Sequence, residues 1–302
     1  MLLIGQQQLV HNQILKNRAS ALFFVAIYRY NYLMIIEILI KIFIFAFGLC
    51  IGSFLNCLIY RIESKKSLRG RSFCPNCKHT LSWQDLFPVF SYLFLGGKCR
   101  HCNKKISIQY PLVEISSALI FLQIFNFQFS IYNEFLIYQL INLLFLFYIA
   151  SVLIVLFVYD LKHYLIPDKV LLPAVGIAFL YRLFEGLINS NFKLQISNYL
   201  VAVLIGAGFF LAIFLISKGE WMGFGDVKLA VLMGLLLGVE NILVALFLAF
   251  FFGAIIGIIM MFLGKKGLKS EIPFGPFLIF GTFLAFFWGQ EIVNWYFYLF
   301  QI

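Results

Sequence analysis

Between Ser197 and Ser217 the chain carries no charged side chain, and between Ile242 and Leu263 it does so again. Runs of this length and character fold as membrane-spanning helices. About 20 residues rising 1.5 Å each cover a hydrocarbon core of about 30 Å, and a helix leaves no backbone polar group unpaired in lipid. Six further runs, roughly Ile35–Tyr60, Pro111–Phe129, Glu134–Tyr159, Lys169–Leu187, Val227–Val239 and Pro273–Phe300, bring the expected number to about eight. The run from Val227 is short for a bilayer, and its boundary at Gly238-Val-Glu-Asn241 is the least defined. Composition agrees with this reading, since 63% of the residues are hydrophobic and only 12% charged. A membrane β-barrel would alternate apolar and polar residues in short segments, and these runs do not alternate. The expected class is an all-α polytopic membrane protein.

The charge is unevenly placed. Between Arg61 and Gln109 ten basic residues face two acids, which accounts for +8 of the net +10. A basic segment next to a span is first a topology signal, so nucleic acid is not an expected partner. With eight spans, this segment lies on the same side as Asp160–Asp168, Lys218–Asp226 and Gly264–Ile272, which add Lys162, Lys218, Lys265, Lys266 and Lys269. The opposite loops, Ser130–Asn133, Ile188–Ile196 and Glu240-Asn241, carry one basic residue, Lys193. The basic side is therefore expected to be cytoplasmic. Residues 1–33 do not fit this pattern, because Lys16, Arg18 and Arg29 would face the other way. They read as an extension of uncertain status, either an interfacial amphipathic helix or sequence upstream of a start at Met34. The expected organisation is thus 1–33, a first transmembrane helix at 34–60, a cytoplasmic loop domain at 61–110 and a membrane core at 111–302. Gly48, Gly52 and Ser53 in the first span are small enough for close helix contact, and Asn56 needs a polar partner.

The loop contains Cys74-Pro-Asn-Cys77 and Cys99-Arg-His-Cys102. On a reducing side of the membrane these thiols are not expected to form disulfides. Two Cys-x-x-Cys hooks suit a closed tetrahedral zinc site, which has no open position and is therefore structural. His79 and His101 are spare neighbours, and Cys50 and Cys57 read as packing residues within the first span.

Two acids stand out. Asp160 ends the third span, where the helix dipole opposes a negative charge. Asp226 opens another span from the same side, after Gly223 and Gly225. The bland reading makes Asp226 a helix N-cap and treats both acids as solvated termini. Topology brings them to one membrane face, and two neighbouring carboxyls share one proton. That is the arrangement peptide hydrolysis by paired aspartates needs. Asp168 follows Pro167 and reads as an N-cap. Lys162 and Lys228, each two residues after an acid, could tune the pair or bind lipid phosphate. A rival reading is a proton- or ion-coupled transporter using the aspartates as a relay, which would place them near the bilayer midplane. A zinc-stabilised scaffold is a third.

Taken together, these residues resemble the prepilin peptidase (type IV leader peptidase) family. Gly52-Ser-Phe-Leu-Asn56 with Tyr60-Arg61, the two cysteine hooks, and Tyr110-Pro-Leu-Val-Glu114 are similar to its first part. Asp160 with Ile166-Pro-Asp168, Gly223-Phe-Gly-Asp226-Val-Lys228, and Ile272-Pro-Phe-Gly-Pro276 are similar to its second. Asp85-Leu-Phe-Pro88 departs from the family's more usual Asp-Asn-Ile-Pro. The resemblance implies an aspartic membrane peptidase of the bacterial inner membrane with Asp160 and Asp226 catalytic, supported by Asp168, Gly223, Gly225 and Lys228. It implies removal of the basic leader of prepilins or pseudopilins after a glycine, on the cytoplasmic side. It also implies S-adenosylmethionine-dependent methylation of the new N-terminus, an activity that goes with the long cysteine loop. Glu114, an acid within a span, is a candidate partner for the substrate amine or a helix-packing residue.

Overall fold

The computed structural model describes residues 34–67, 69–131, 136–188, 192–263 and 272–300. The 1–33 segment and the loop carrying Lys265, Lys266 and Lys269 lie outside the described residues. Among these residues seven helices are long and apolar enough to cross a membrane: α1 (Met34–Glu63), α3 (Gln109–Ile131), α4 (Leu136–His163), α5 (Asp168–Ile188), α6 (Phe192–Ser217), α7 (Phe224–Phe262) and α8 (Gly275–Phe300). A short helix α2 (Phe90–Phe94) lies in the cysteine loop. The all-helical class holds. The loop is irregular, with isolated bridges pairing Phe73 with Thr80 and Lys98 with Lys105.

Helix α7 has 39 residues. At 1.5 Å each it would be about 58 Å long, nearly twice the hydrocarbon core. The chain instead reverses at Gly238, whose φ of 74° and ψ of 180° interrupt the helix. Contacts along α6 show the reversal. On the first arm, Phe224 meets Phe214, Gly234 lies against Val203 and Gly238 against Asn198, so this arm runs antiparallel to α6. On the second arm, Ile242 meets Gly206 and Phe250 meets Phe210, so it runs parallel to α6. Helix α8 then returns along the second arm, with Gly281 on Ala245 and Phe280 on Phe252. Two arms plus six helices give the eight segments expected. The first arm climbs only about 18 Å from Asp226 to Gly238 and so does not cross a membrane by itself.

A break inside a membrane bundle must have its free backbone groups satisfied by protein. Arg182 of α5 does this for the first arm, donating from Nε to the Leu235 carbonyl and from Nη2 to that of Leu236, each at 2.8 Å. Asn198 of α6 does it for the second, accepting from the Val239 N–H at 3.2 Å. Arg182 is in turn held by an ion pair with Glu185 and by the Tyr199 ring, 4.1 Å away.

Helix α1 packs antiparallel on α3 with backbones touching. A Cβ at Gly48 would fall 2.6 Å from the Ala118 Cα, and one at Gly52 would fall 2.6 Å from the Glu114 Cα. Only glycine permits this approach, as the four-residue spacing suggests. The same contact gives Asn56 its partner, the Tyr110 carbonyl at 3.0 Å.

Candidate active site

The ends of α1, α4, α5, α6, α7 and α8 that carry the candidate residues gather at one end of the bundle. Glu63 at the end of α1 meets Lys162 and His163 at the end of α4, at 4.0 and 3.8 Å. Ile166, in the linker from α4 to α5, packs between Gly225 of α7 and Gly275 of α8. Around Ile166 sit both acids. Asp160 is 4% exposed and Asp226 9%, so neither is a solvated terminus. The Asp160 carboxyl acts electrostatically on Asp226.

Each acid has a distinct local setting. Asp160 sits one turn from the end of α4, where the dipole opposes it. The compensation comes from α8. Gly275 opens that helix, and its N–H donates to the Asp160 carboxylate. The positive end of the α8 dipole thus offsets the negative end of α4. A side chain at 275 would run into the Asp160 carboxylate oxygen, and the following proline costs nothing because an N–H in a first helical turn has no intrahelical partner. The sequence shows Pro-Phe-Gly-Pro only as a family-like string; its role as the backbone donor to Asp160 emerges from the fold.

Asp226 is not an N-cap. Gly223 is the cap residue, with extended backbone (φ −75°, ψ 147°), and Asp226 lies in the first turn of α7. Gly223 and Gly225 do not form a left-handed turn. Gly225 is needed for space, since a Cβ there would sit 3.1 Å from Ile166. The Asp226 carboxyl is therefore not engaged in capping, and among the described residues no donor reaches it. Asp168 also does not act as expected. It opens α5, and both of its oxygens accept from Lys228 Nζ at 2.8 Å. Lys228 is thereby committed to Asp168 and Lys162 faces Glu63, so neither lysine pairs with Asp160 or Asp226.

The four cysteines converge. Their sulfur atoms lie within 4.8 Å of one another, and Cys74 and Cys102 are 4.0 Å apart. Zinc bonded to four thiolates at about 2.3 Å places its sulfurs about 3.8 Å apart. The two hooks have the same construction. The Cys74 N–H donates to the His79 carbonyl and the Cys99 N–H to the Lys104 carbonyl, both at 2.9 Å. Each hook then turns through a left-handed residue, Lys78 or Asn103. The N–H groups of Cys102 and His101 bring the Cys99 thiol down to about 7. Although the His79 N–H favours the Cys77 thiolate, desolvation and the other three thiols push that group up to about 11. Four sulfurs this close resist collecting negative charge unless a cation joins them, so the donor set fits a metal. The rings of His79 and His101 lie against each other, centroids 3.6 Å apart and tilted by 38°.

Glu114 does pack against a helix: Gly52 of α1 lies on its Cα and Ser53 of α1 hydrogen-bonds its carboxylate. Its Oε2 also accepts from the Val89 N–H of the loop at 2.7 Å, so an acid within α3 joins α1 and the cysteine loop. Arg182, Glu185 and Asn198 are structural residues that sequence reasoning passed over. An Arg and a Glu three apart within an apolar run were the signal for them.

The chain is similar to known proteins over both the cysteine loop and the two acids. Residues 46–127, which include all four hook cysteines, match the family described as Bacterial Peptidase A24 N-terminal domain. Residues 147–258, which include Asp160 and Asp226, match the Type IV leader peptidase family. The chain is 33% identical over 282 residues to a prepilin leader peptidase/N-methyltransferase of Legionella pneumophila, covering 83% of this chain and 92% of that protein. It is 32% identical to the protein of that name from Bacillus subtilis (strain 168), covering 84% and 96%, and 32% identical to that of Vibrio cholerae, covering 80% and 93%. No solved structure matches the chain.

Proposed function

The chain belongs to the type IV leader peptidase family, and from that premise we propose that Asp160 and Asp226 cut the basic leader from type IV prepilins or pseudopilins at the cytoplasmic face of the bacterial inner membrane. The observation that carries the reading is the meeting of two buried carboxyls, brought from α4 and α7 to the N-terminus of α8.

The geometry divides the work. Two buried carboxyls near enough to act on each other electrostatically hold one proton between them. The ionised member takes a proton from water, and the water oxygen attacks the scissile carbonyl carbon. The protonated member donates to the carbonyl oxygen. Collapse of the tetrahedral adduct breaks the C–N bond, and the proton taken from water passes to the leaving amine. The two acids titrate as a pair, so the roles belong to the dyad and not to one residue. The Gly275 N–H orients Asp160, and Ile166 fixes the spacing of α7 and α8. The Asp168–Lys228 pair ties α5 to α7 beside the dyad and leaves the dyad without a competing cation.

The second activity is N-methylation of the new N-terminus. S-adenosylmethionine supplies a methyl group on a sulfonium for that step. Zinc in the Cys74, Cys77, Cys99 and Cys102 site is structural, because four thiolates leave it no open position. The basic loop and the side it marks support the cytoplasmic orientation.

The test is cleavage of a co-expressed prepilin by the wild type, Asp160→Asn and Asp226→Asn. Asparagine keeps the shape but cannot exchange the proton, so each variant should lose cleavage by at least about a thousandfold while still inserting in the membrane. Near-normal cutting by either one would refute the dyad.

A further inference from the structure

The cysteine loop turns its largest apolar side chains outward. Phe90, Leu93 and Phe94 fall on one face of α2 by their i, i+3, i+4 spacing, and all three are exposed, Phe94 by 86%. Trp83, in the 3-10 turn Trp83–Leu86 that precedes α2, is 71% exposed, and Phe87 is exposed beside it. Trp83, Phe87, Phe90 and Phe94 line one groove, with Arg100 in its wall. The opposite side of α2 is the packed one, where Tyr92 and Leu95 line a cavity shared with Ser53 of α1 and Tyr110 of α3. In water, a contiguous apolar face of this kind on an extramembrane loop calls for something to cover it.

Three observations identify the cover. The first is level. Glu114 of α3 holds the N–H of Val89, the residue just before α2. Helix α3 has 23 residues and is about 35 Å long, slightly more than the hydrocarbon core, and Glu114 lies only about 8 Å from its loop-side end. The headgroup layer is itself about 5–8 Å deep on each side. Ile108, Leu112 and Ile115, on either side of Glu114 in sequence, are exposed, so the lipid-facing surface of α3 reaches the level at which the loop is fastened. The second is residue type, because tryptophan and other aromatic rings collect where hydrocarbon meets water. The third is charge. Lys98, Lys104 and Lys105 follow α2, are exposed, and among the described residues pair with no acid, while the nearby Asp85 is taken by Arg100 at 2.8 Å. Free ammonium groups beside an apolar face complement lipid phosphates.

We propose that the outward face of α2 and the turn before it docks into the headgroup layer of the bilayer, with Trp83, Phe90 and Phe94 as interfacial anchors and the three lysines directed at lipid phosphates. The cysteine loop is then fastened twice, to α3 through Glu114 and to lipid through its aromatic rings. It lies along the membrane surface and does not stand off in water. This docking does not depend on the chemistry of Asp160 and Asp226.

Replacing Trp221, Trp288 and Trp295 by phenylalanine leaves Trp83 as the sole tryptophan of the full-length chain, and all three are exposed, so phenylalanine there keeps the packing. This protein is placed in nanodiscs of phosphatidylcholine and phosphatidylglycerol, which leave both membrane faces open to water. Lipid brominated near the headgroup end of its acyl chains should lower Trp83 emission at least about twofold, and more than lipid brominated near the chain ends, while iodide in the water should quench it little. Adding Phe90→Asn and Phe94→Asn should weaken the bromolipid quenching at least about twofold and raise quenching by iodide. Iodide quenching without bromolipid quenching puts the face in water. Shielding from both puts it under protein, whether a second copy or another chain. Either result overturns the proposal, as does stronger quenching from the chain ends or equal bromolipid quenching with and without the double substitution.

Discussion

Replacing Arg182 by methionine should destabilise the bundle by about 3–5 kcal/mol, mostly through Glu185. Arg182 and Glu185 are 11% and 13% exposed, so water does little for either once the other is gone. The guanidinium makes two hydrogen bonds to the carbonyls that end the first arm of α7. Polar contacts between membrane helices are worth about 0.6–2 kcal/mol each, which gives about 1–4 kcal/mol for the pair. An uncompensated buried charge costs about 3–5 kcal/mol, and because the defects share one side chain they do not add. The double variant Arg182→Met/Glu185→Leu removes the orphaned charge and leaves the loss of the carbonyl bonds and of the long 3.3 Å bond from the Tyr138 hydroxyl to Glu185, so it should cost about 1–4 kcal/mol, less than the single variant. Arg182→Lys keeps a charge for Glu185 but has no planar fork to span two carbonyls, and should fall between them. Unfolding midpoints in a denaturing-detergent titration, followed by circular dichroism, measure all three. A single variant costing under about 1 kcal/mol, or a double variant costing as much as the single, would refute the capping argument.

Two other outcomes follow from the site. Gly275→Ala places a methyl group against the Asp160 carboxylate; displacement of about 1 Å should lower kcat for prepilin cleavage about tenfold to a hundredfold with KM little changed, read from initial rates. Metal analysis of the purified protein should give about one zinc per chain; Cys77→Ser should lower that content and reduce methylation more steeply than cleavage, since the metal site organises the cysteine loop and not the dyad.

How far the fold can be read from the sequence depends on which interactions are local. Helix number and the glycine-mediated contact of α1 with α3 follow from apolar length and a four-residue spacing, both of which are written along one stretch of chain. The convergence of Asp160 and Asp226 follows from counting spans, because an even number of crossings between them returns the chain to the same end. The roles of Asp168, Gly275 and Arg182 do not follow in this way. Local pattern makes Asp168 an N-cap, and only packing of α5 against α7 brings Lys228 to it. Gly275 reads only as part of a family-like string until α8 is set against α4. Arg182 passes unremarked in an apolar run, and it becomes necessary only because Gly238 reverses α7 within the bundle and leaves carbonyls without partners. That reversal limits the first arm to about 18 Å and surrounds it with α5, α6 and the second arm. Asp226 is thereby mounted on a short helix buried on its flanks and fixed at its far end by Arg182. A loosened break should therefore be felt at the dyad. Arg182→Met should reduce the cleavage rate as well as the stability, whereas a substitution on a lipid-facing position of α6, such as Leu204→Ala, should leave the rate unchanged.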